Sequence, residues 1–251
     1  MLPHSAPITP ASIASEARAL EAELARIPAE AAITLLAGRY RGRIALVSSF
    51  GAESAVLLHL VALADPALPV ILLDTGKLFA ETLAYRDRLV ARLGLRDVRS
   101  IPPDPAALAA RDPFGGLWAF NPDACCTLRK VEPLAAALAP FAVWMNGRKR
   151  AHGSTRSALP LAEATEDGKL KVNPLAAWDG DAVEAWRVAH GLPAHPLAGL
   201  GYASIGCRTC TSPVAAGEAT RAGRWRGTGK TECGIHIPQP APNGDTDNRT
   251  A

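Results

Sequence analysis

Arg43-Ile44-Ala45-Leu46-Val47-Ser48-Ser49-Phe50-Gly51-Ala52-Glu53-Ser54 is the stretch whose reading decides the fold. A short apolar run passes into small residues, and helical character follows over residues 52–63. That pattern is a buried strand handing over to a helix. It recurs along the chain. Val70-Ile71-Leu72-Leu73 ends in Asp74-Thr75-Gly76 and precedes a helix over about 78–93. Val98-Arg99-Ser100-Ile101 is a third strand, stopped by Pro102-Pro103, and Phe141-Ala142-Val143-Trp144-Met145 is a fourth, ending at Asn146-Gly147. Continuous apolar strands alternating with helices predict an α/β fold: a parallel, twisted sheet with helices on both faces. Such sheets bind ligands beyond the carboxyl ends of their strands, and here those ends are polar or contain glycine.

Outside this block the readings are coarser. Residues 11–37 have helical spacing (Leu20, Leu24, Ile27) and break at Pro28, which gives two short helices packed on the outside. Residues 147–173 form a long basic excursion over a sheet edge, with a hairpin turn at Asp167-Gly168. From residue 216 the chain is rich in Gly, Arg and Thr, and beyond Pro238 it is polar, which predicts disorder. The expected division is 1–40 for the N-terminal helices, 41–215 for the α/β domain and 216–251 for a mobile tail.

Composition excludes several classes. The chain has 251 residues, 48% of them hydrophobic, which suits one domain with accessory structure. No run of about 18 apolar residues predicts a membrane span. The start, MLPHSAPITPASIASEARAL, lacks the features of a signal peptide, so a cytoplasmic protein is expected, where paired cysteines act as ligands or redox groups rather than disulfides. A net charge of +3 does not suggest a nucleic-acid binder. The positive charge is clustered, at Arg148-Lys149-Arg150 and at Arg221, Arg224, Arg226 and Lys230, as for a small anion. Two solvated basic faces would account for the same clusters.

The five cysteines divide into four plus one: Cys125-Cys126, Cys207-x-x-Cys210 and a lone Cys233. Four thiolates suit an iron–sulfur cluster or a structural zinc, and redox-active dithiols are a third reading. Two adjacent ligands strain a tetrahedral ion and fit a larger cluster better. The pair is expected at the start of a helix running from Thr127 to Leu138, with Lys130 one turn beyond it. Cys233, in Lys230-Thr231-Glu232-Cys233-Gly234-Ile235-His236, has Lys and His nearby, which favours the thiolate. An incidental tail cysteine is the bland alternative. Ser48 to Ser54 could bring backbone N–H groups to an anion at a helix N-terminus, although a ligand-free turn would look the same.

Taken together, SSFGAES, LDTGKLF, CCTLRKVEPL, the NGRKR–STR loop, KVNPLAAW, GYASIGCRTCTSP, RAGRW and KTECGIH resemble the assimilatory adenylyl-sulfate reductases of the bacterial iron–sulfur type, within the phosphoadenylyl-sulfate reductase family. They run in the family's order from residue 48 to 236. The resemblance implies an adenine nucleotide alpha hydrolase-like (PP-loop) fold. It implies a 4Fe–4S cluster on Cys125, Cys126, Cys207 and Cys210, with Cys233 as nucleophile. Ser48, Ser49, Leu73, Thr75 and Gly76 would cradle adenosine 5′-phosphosulfate. Lys130, Arg148, Arg221, Arg224 and His236 would hold its phosphosulfate end. The implied activity is reduction of that nucleotide to sulfite and AMP in sulfate assimilation, through an S-sulfocysteine, with reduced thioredoxin or a glutaredoxin-like dithiol as donor. No nucleic acid or membrane partner is implied, and a homo-oligomer is left open.

Three departures stand out. Arg208-Thr209 replaces Glu-Pro inside the C-x-x-C, Arg224-Trp225-Arg226-Gly227 carries fewer tryptophans, and Gly147-Arg148-Lys149-Arg150 replaces Gly-Gln-Arg. The last leaves open which arginine reaches substrate. The competing reading among reductases is the 3′-phosphorylated nucleotide, whose enzymes resemble this chain but lack the four cluster cysteines. An ATP pyrophosphatase would carry Ser-Gly-Gly-x-Asp-Ser, where this chain has Phe50 and Glu53. A nucleotide-binding redox sensor would make Cys233 incidental.

Overall fold

Ile44–Val47 (β1) and Val70–Leu73 (β2) pair in parallel, and each is buried along its whole length. The computed structural model describes residues 10–153 and 156–237. The start of the chain, Ser154-Thr155 of the basic loop and the polar stretch from Pro238 onward, read above as disordered, lie outside the described residues. Four further strands complete one sheet: Val98–Ile101 (β3), Val143–Met145 (β4), Ala162–Ala164 (β5) and Leu170–Val172 (β6). Their order is β3-β2-β1-β4-β6-β5, with only the β5–β6 pair antiparallel.

The two faces follow from strand alternation. Leu46, Val70, Leu72, Val143, Met145 and Val172 face one core. Helices Pro10–Leu24 (α1), Ala29–Arg39 (α2), Ser54–Ala64 (α3) and Ala80–Leu93 (α4) supply its other side, including Leu20, Ile33, Leu36, Leu58 and Leu89. Ala45, Val47, Ile71, Leu73 and Trp144 face the opposite way, onto Leu134, Leu138 and Phe141. A fully buried strand needs apolar residues on both faces, hence the unbroken runs in the sequence. The N-terminal helices therefore share the main core, and α1 also covers the β5 edge, where Glu21 accepts from the Ala162 N–H at 2.7 Å. Helices Pro105–Arg111 (α5), Leu117–Phe120 (α6) and Gly180–Ala189 (α9) had no counterpart in the sequence reading.

Two expectations need restating. The hairpin at Asp167-Gly168 is present, with Gly168 at φ 74°, but β6 then pairs with β4, so the excursion extends the sheet instead of lying over its edge. The cysteine pair does not open a helix at Thr127. That helix starts earlier, as Pro122–Cys126 (α7), because the Asn121 side chain accepts from the Ala124 N–H and Pro122 fits the first position. A π-helical turn, Thr127–Val131, links α7 to Glu132–Leu138 (α8). Pro133 has no N–H for the usual i−4 bond, and the Glu132 N–H reaches back to the Thr127 carbonyl.

Candidate active site

Strand order reverses between β1 and β4, so the loops after these two strands diverge and leave a crevice. A cleft of about 200 Å³ opens there. Ser48 and Ser49 line it from the β1 loop, Leu73 from β2, and Asn146, Gly147 and Arg148 from β4. Lys130, Arg221, Arg224, Cys233 and His236, also expected, line it too. Thr75 and Gly76 do not line the cleft. Thr75 is wholly buried, its hydroxyl 3.2 Å from Cys207 Sγ, and Gly76, at φ 67°, makes the turn that follows.

The β1 loop is held tightly. Phe50 takes a positive φ of 48° while fully buried, a costly conformation for a non-glycine residue. Its N–H bonds the Ser48 hydroxyl at 3.2 Å. An added side chain at Gly51 would stand 3.1 Å from the Ile205 carbonyl. Glu53, which the sequence reading used only to reject an ATP pyrophosphatase, bonds Lys149 at 2.8 Å and His152 at 2.9 Å. Burial alone would raise its pKa, but these partners bring it down to about 2.

The tail segment, residues 216–237, is packed into the cleft. Trp225 is buried, and Ser212 and Gly223 tie the segment back through a main-chain bond of 2.9 Å. Cys233 lies 3.8 Å from Lys130 Nζ. A hydrogen bond from the Cys126 thiol, with Lys130 and Arg224 adjacent, pushes its pKa well below the ordinary thiol value. Burial would lower Lys130, yet Cys207, Cys233 and Cys126 around it raise it instead. Space at Gly234 is tight: a Cβ there would stand 3.1 Å from a Val131 methyl and 3.5 Å from the Cys126 Cβ.

The cleft lining holds six Lys or Arg side chains and two carboxylates, Glu53 and Glu232. Arg148 pairs with Glu163, and Arg156 forks onto Glu232 at 2.7 and 2.8 Å. Lys130 and Arg224 form no ion pair with a carboxylate among the described residues, so their charge is free to meet an anion. Arg224 stacks over Trp225 at 4.5 Å and is lowered by burial; Arg221, lowered to about 10, also lies over that ring. His236 stacks on Trp144, and Lys171 sits over the same indole. Burial and four nearby cations keep His236 neutral.

Several of these residues were missed by the sequence reading as parts of the site. Arg156, Lys149 and Glu232 stood in quoted motifs, but nothing local showed that they turn inward. Only Arg148 of the basic triplet had been picked out as a ligand for the anion.

The four remaining cysteines come from two segments that meet beside Lys130. Cys125 feels Cys207 and Cys210, while Cys126 faces Cys233. Among the described residues no three of His, Cys, Asp and Glu converge as a single-ion site would require. Cys125, Cys126 and Cys207 are buried, Cys210 is half-buried, and the cations Lys130 and Arg224 stand beside them. Such a donor set fits a thiolate-held cluster.

The phosphoadenosine phosphosulfate reductase domain family matches residues 43–213. An adenosine 5′-phosphosulfate reductase of Mesorhizobium japonicum is 55% identical over 79% of this chain and 78% of its own. Another so named, from Chelativorans sp., is 48% identical over 89% and 91%. Among solved structures, a phosphoadenylyl-sulfate reductase from Candida auris in a phosphate complex superposes with a TM-score of 0.67 at 25% identity, over 84% of this chain and all of that one.

Proposed function

The chain belongs to the phosphoadenosine phosphosulfate reductase family, and on that premise we propose that it reduces adenosine 5′-phosphosulfate to sulfite and AMP by covalent catalysis at Cys233. The observation that carries this reading is the Cys233 sulfur held 3.8 Å from Lys130 inside a cleft dominated by cations. An anionic electrophile repels a thiolate, and fixed cations around it remove that repulsion and stabilise the leaving phosphate.

In the first step the Cys233 thiolate attacks the sulfate sulfur. The Sγ–S bond forms, and the S–O bond to phosphate breaks with its electron pair on AMP. Lys130, Arg156, Arg221 and Arg224 bind the phosphosulfate, while Ser48, Ser49 and Leu73 line the nucleotide's path. Thr75 and Gly76 act from behind the cleft, and neutral His236 on Trp144 closes it. In the second step a thiolate of a reduced thioredoxin-like dithiol attacks Cys233 Sγ. Sulfite leaves with the bonding pair, the donor's second thiol resolves the mixed disulfide, and Cys233 is restored. The tail must swing out for this exchange, as its glycines at 217, 227 and 229, which stand in open space, allow.

Cys125, Cys126, Cys207 and Cys210 would hold a 4Fe–4S cluster. When bound, it supplies order to two chain segments and a fixed field next to Lys130. With Cys126 engaged as a ligand it would no longer donate to Cys233, and Lys130 and Arg224 would be the groups that stabilise the Cys233 thiolate.

Cys233→Ser tests the reading. The variant keeps iron, acid-labile sulfide and nucleotide binding but forms no SO3 adduct by mass spectrometry and releases no sulfite. Normal turnover by it would remove the mechanism. The Candida auris relative is named for the 3′-phosphorylated nucleotide. Side-by-side kinetics with both nucleotides decides between them.

A further inference from the structure

Glu232 is a carboxylate placed next to a nucleophile that must receive an anion. Its side chain is 15% exposed and its main partner, Arg156, is 7% exposed. Arg221 adds a third contact at 3.3 Å. Separately, Glu232 Oε1 accepts the N–H of Cys233 at 2.9 Å. A buried charge in this position costs desolvation, and it repels substrate. Two features of the geometry give it a purpose. Arg156 belongs to the body of the domain and Glu232 to the tail, 76 positions later, so their forked pair fastens the tail. The bond to Cys233 then aligns the peptide that carries the reacting sulfur.

Resting on the reductase reading above, we propose that Glu232 is a positioning residue that competes with the substrate's anionic end for Arg156 and Arg221 while its bond to the Cys233 N–H aims the nucleophile. Substrate affinity is given up so that the thiolate is delivered. The carboxylate takes no part in bond making.

The competition predicts opposite signs for binding and chemistry. Glu232→Gln frees two arginines, so adenosine 5′-phosphosulfate should bind about tenfold tighter. The tail loses its forked anchor, so sulfonation of Cys233 in a single turnover should slow by about a hundredfold. Affinity is read by calorimetry in a Cys233→Ser background, where no reaction occurs, and sulfonation by quenched-flow mass spectrometry with Cys233 present. A role confined to stability would weaken both or neither. Glu232→Asp restores the charge and should return affinity to within about twofold of the parent while sulfonation stays slow, since the shorter arm misplaces the peptide. Glu232→Gln protein with parental iron content and melting temperature whose affinity is unchanged or weaker, or whose sulfonation is undiminished, overturns the proposal. Where Glu232→Gln does not fold, undiminished sulfonation in Glu232→Asp overturns it equally. A parent enzyme that forms no SO3 adduct at all would instead defeat the reductase reading, and this inference with it.

Discussion

Gly206, immediately before the first cysteine of the C-x-x-C, has no side chain because Arg224 occupies the space. A Cβ built there would stand 2.7 Å from Arg224 Cζ and 3.0 Å from its NH1, with NH2 closer still. The obstructing atoms are the far end of a flexible side chain, so Gly206→Ala should fold and push the guanidinium aside. Arg224 would then leave the anion end of the cleft. A hydrogen bond to a charged group contributes about 1.5–3 kcal/mol, so AMP affinity should fall by roughly 10- to 150-fold. Calorimetric titration with AMP measures this, with iron and acid-labile sulfide confirming that neighbouring Cys207 is undisturbed. Arg224→Met should cost a similar factor. Because both substitutions remove the same contact, the double variant should lose no more than either single one. Gly206→Ala protein that binds AMP like the parent, or a double variant whose losses add, would refute the steric argument.

Two further outcomes follow from the ion pairs. Glu53 titrates at about 2 against an ordinary 4.5. A depressed carboxylate contributes stability that is fully present above its unfolded pKa and is lost as pH falls through the folded one. The shift corresponds to about 3 kcal/mol, lost between roughly pH 4.5 and 2, and Glu53→Gln should flatten that acid limb in urea titrations at successive pH values. Arg129 and Asp112 form a buried pair at 2.6 Å, and Arg129 also donates to the Thr75 carbonyl. Arg129→Met should destabilise by about 3–5 kcal/mol in chemical denaturation, because Asp112 is left uncompensated. Adding Asp112→Leu should recover part of the loss, and no recovery would speak against the charge as the cause.

Much of this molecule was legible in its sequence. Four of the six strands were read within a residue or two: β1, β2 and β4 are buried on both faces and write unbroken apolar runs, whereas β3, with Arg99 and Ser100 exposed, was marked by its stop at Pro102-Pro103. The hairpin at Gly168 was legible from its turn residues, and the cysteines from their spacing. The helix around Cys125 was misplaced because its start depends on the Asn121 cap, and its π turn on Pro133, details that apolar spacing does not report. α5, α6 and α9 were missed: α5 and α6 are short and bury no residue, and α9, ten residues long, buries only Val183 outright while Trp186 rests partly covered against the core.

What the sequence by itself determined was therefore the local alternation of elements, the strand ends where a ligand must bind and the residue types available there. Those depend on neighbours along the chain. The strand order that opens a crevice between β1 and β4, the inward turn of Arg156 and Lys149, the grip of Arg156 on Glu232 and the approach of Cys233 to Lys130 were decided by the tertiary structure alone. These contacts join residues 76 to 103 positions apart, and their geometry is set by how the sheet and the tail pack rather than by any periodicity within a segment.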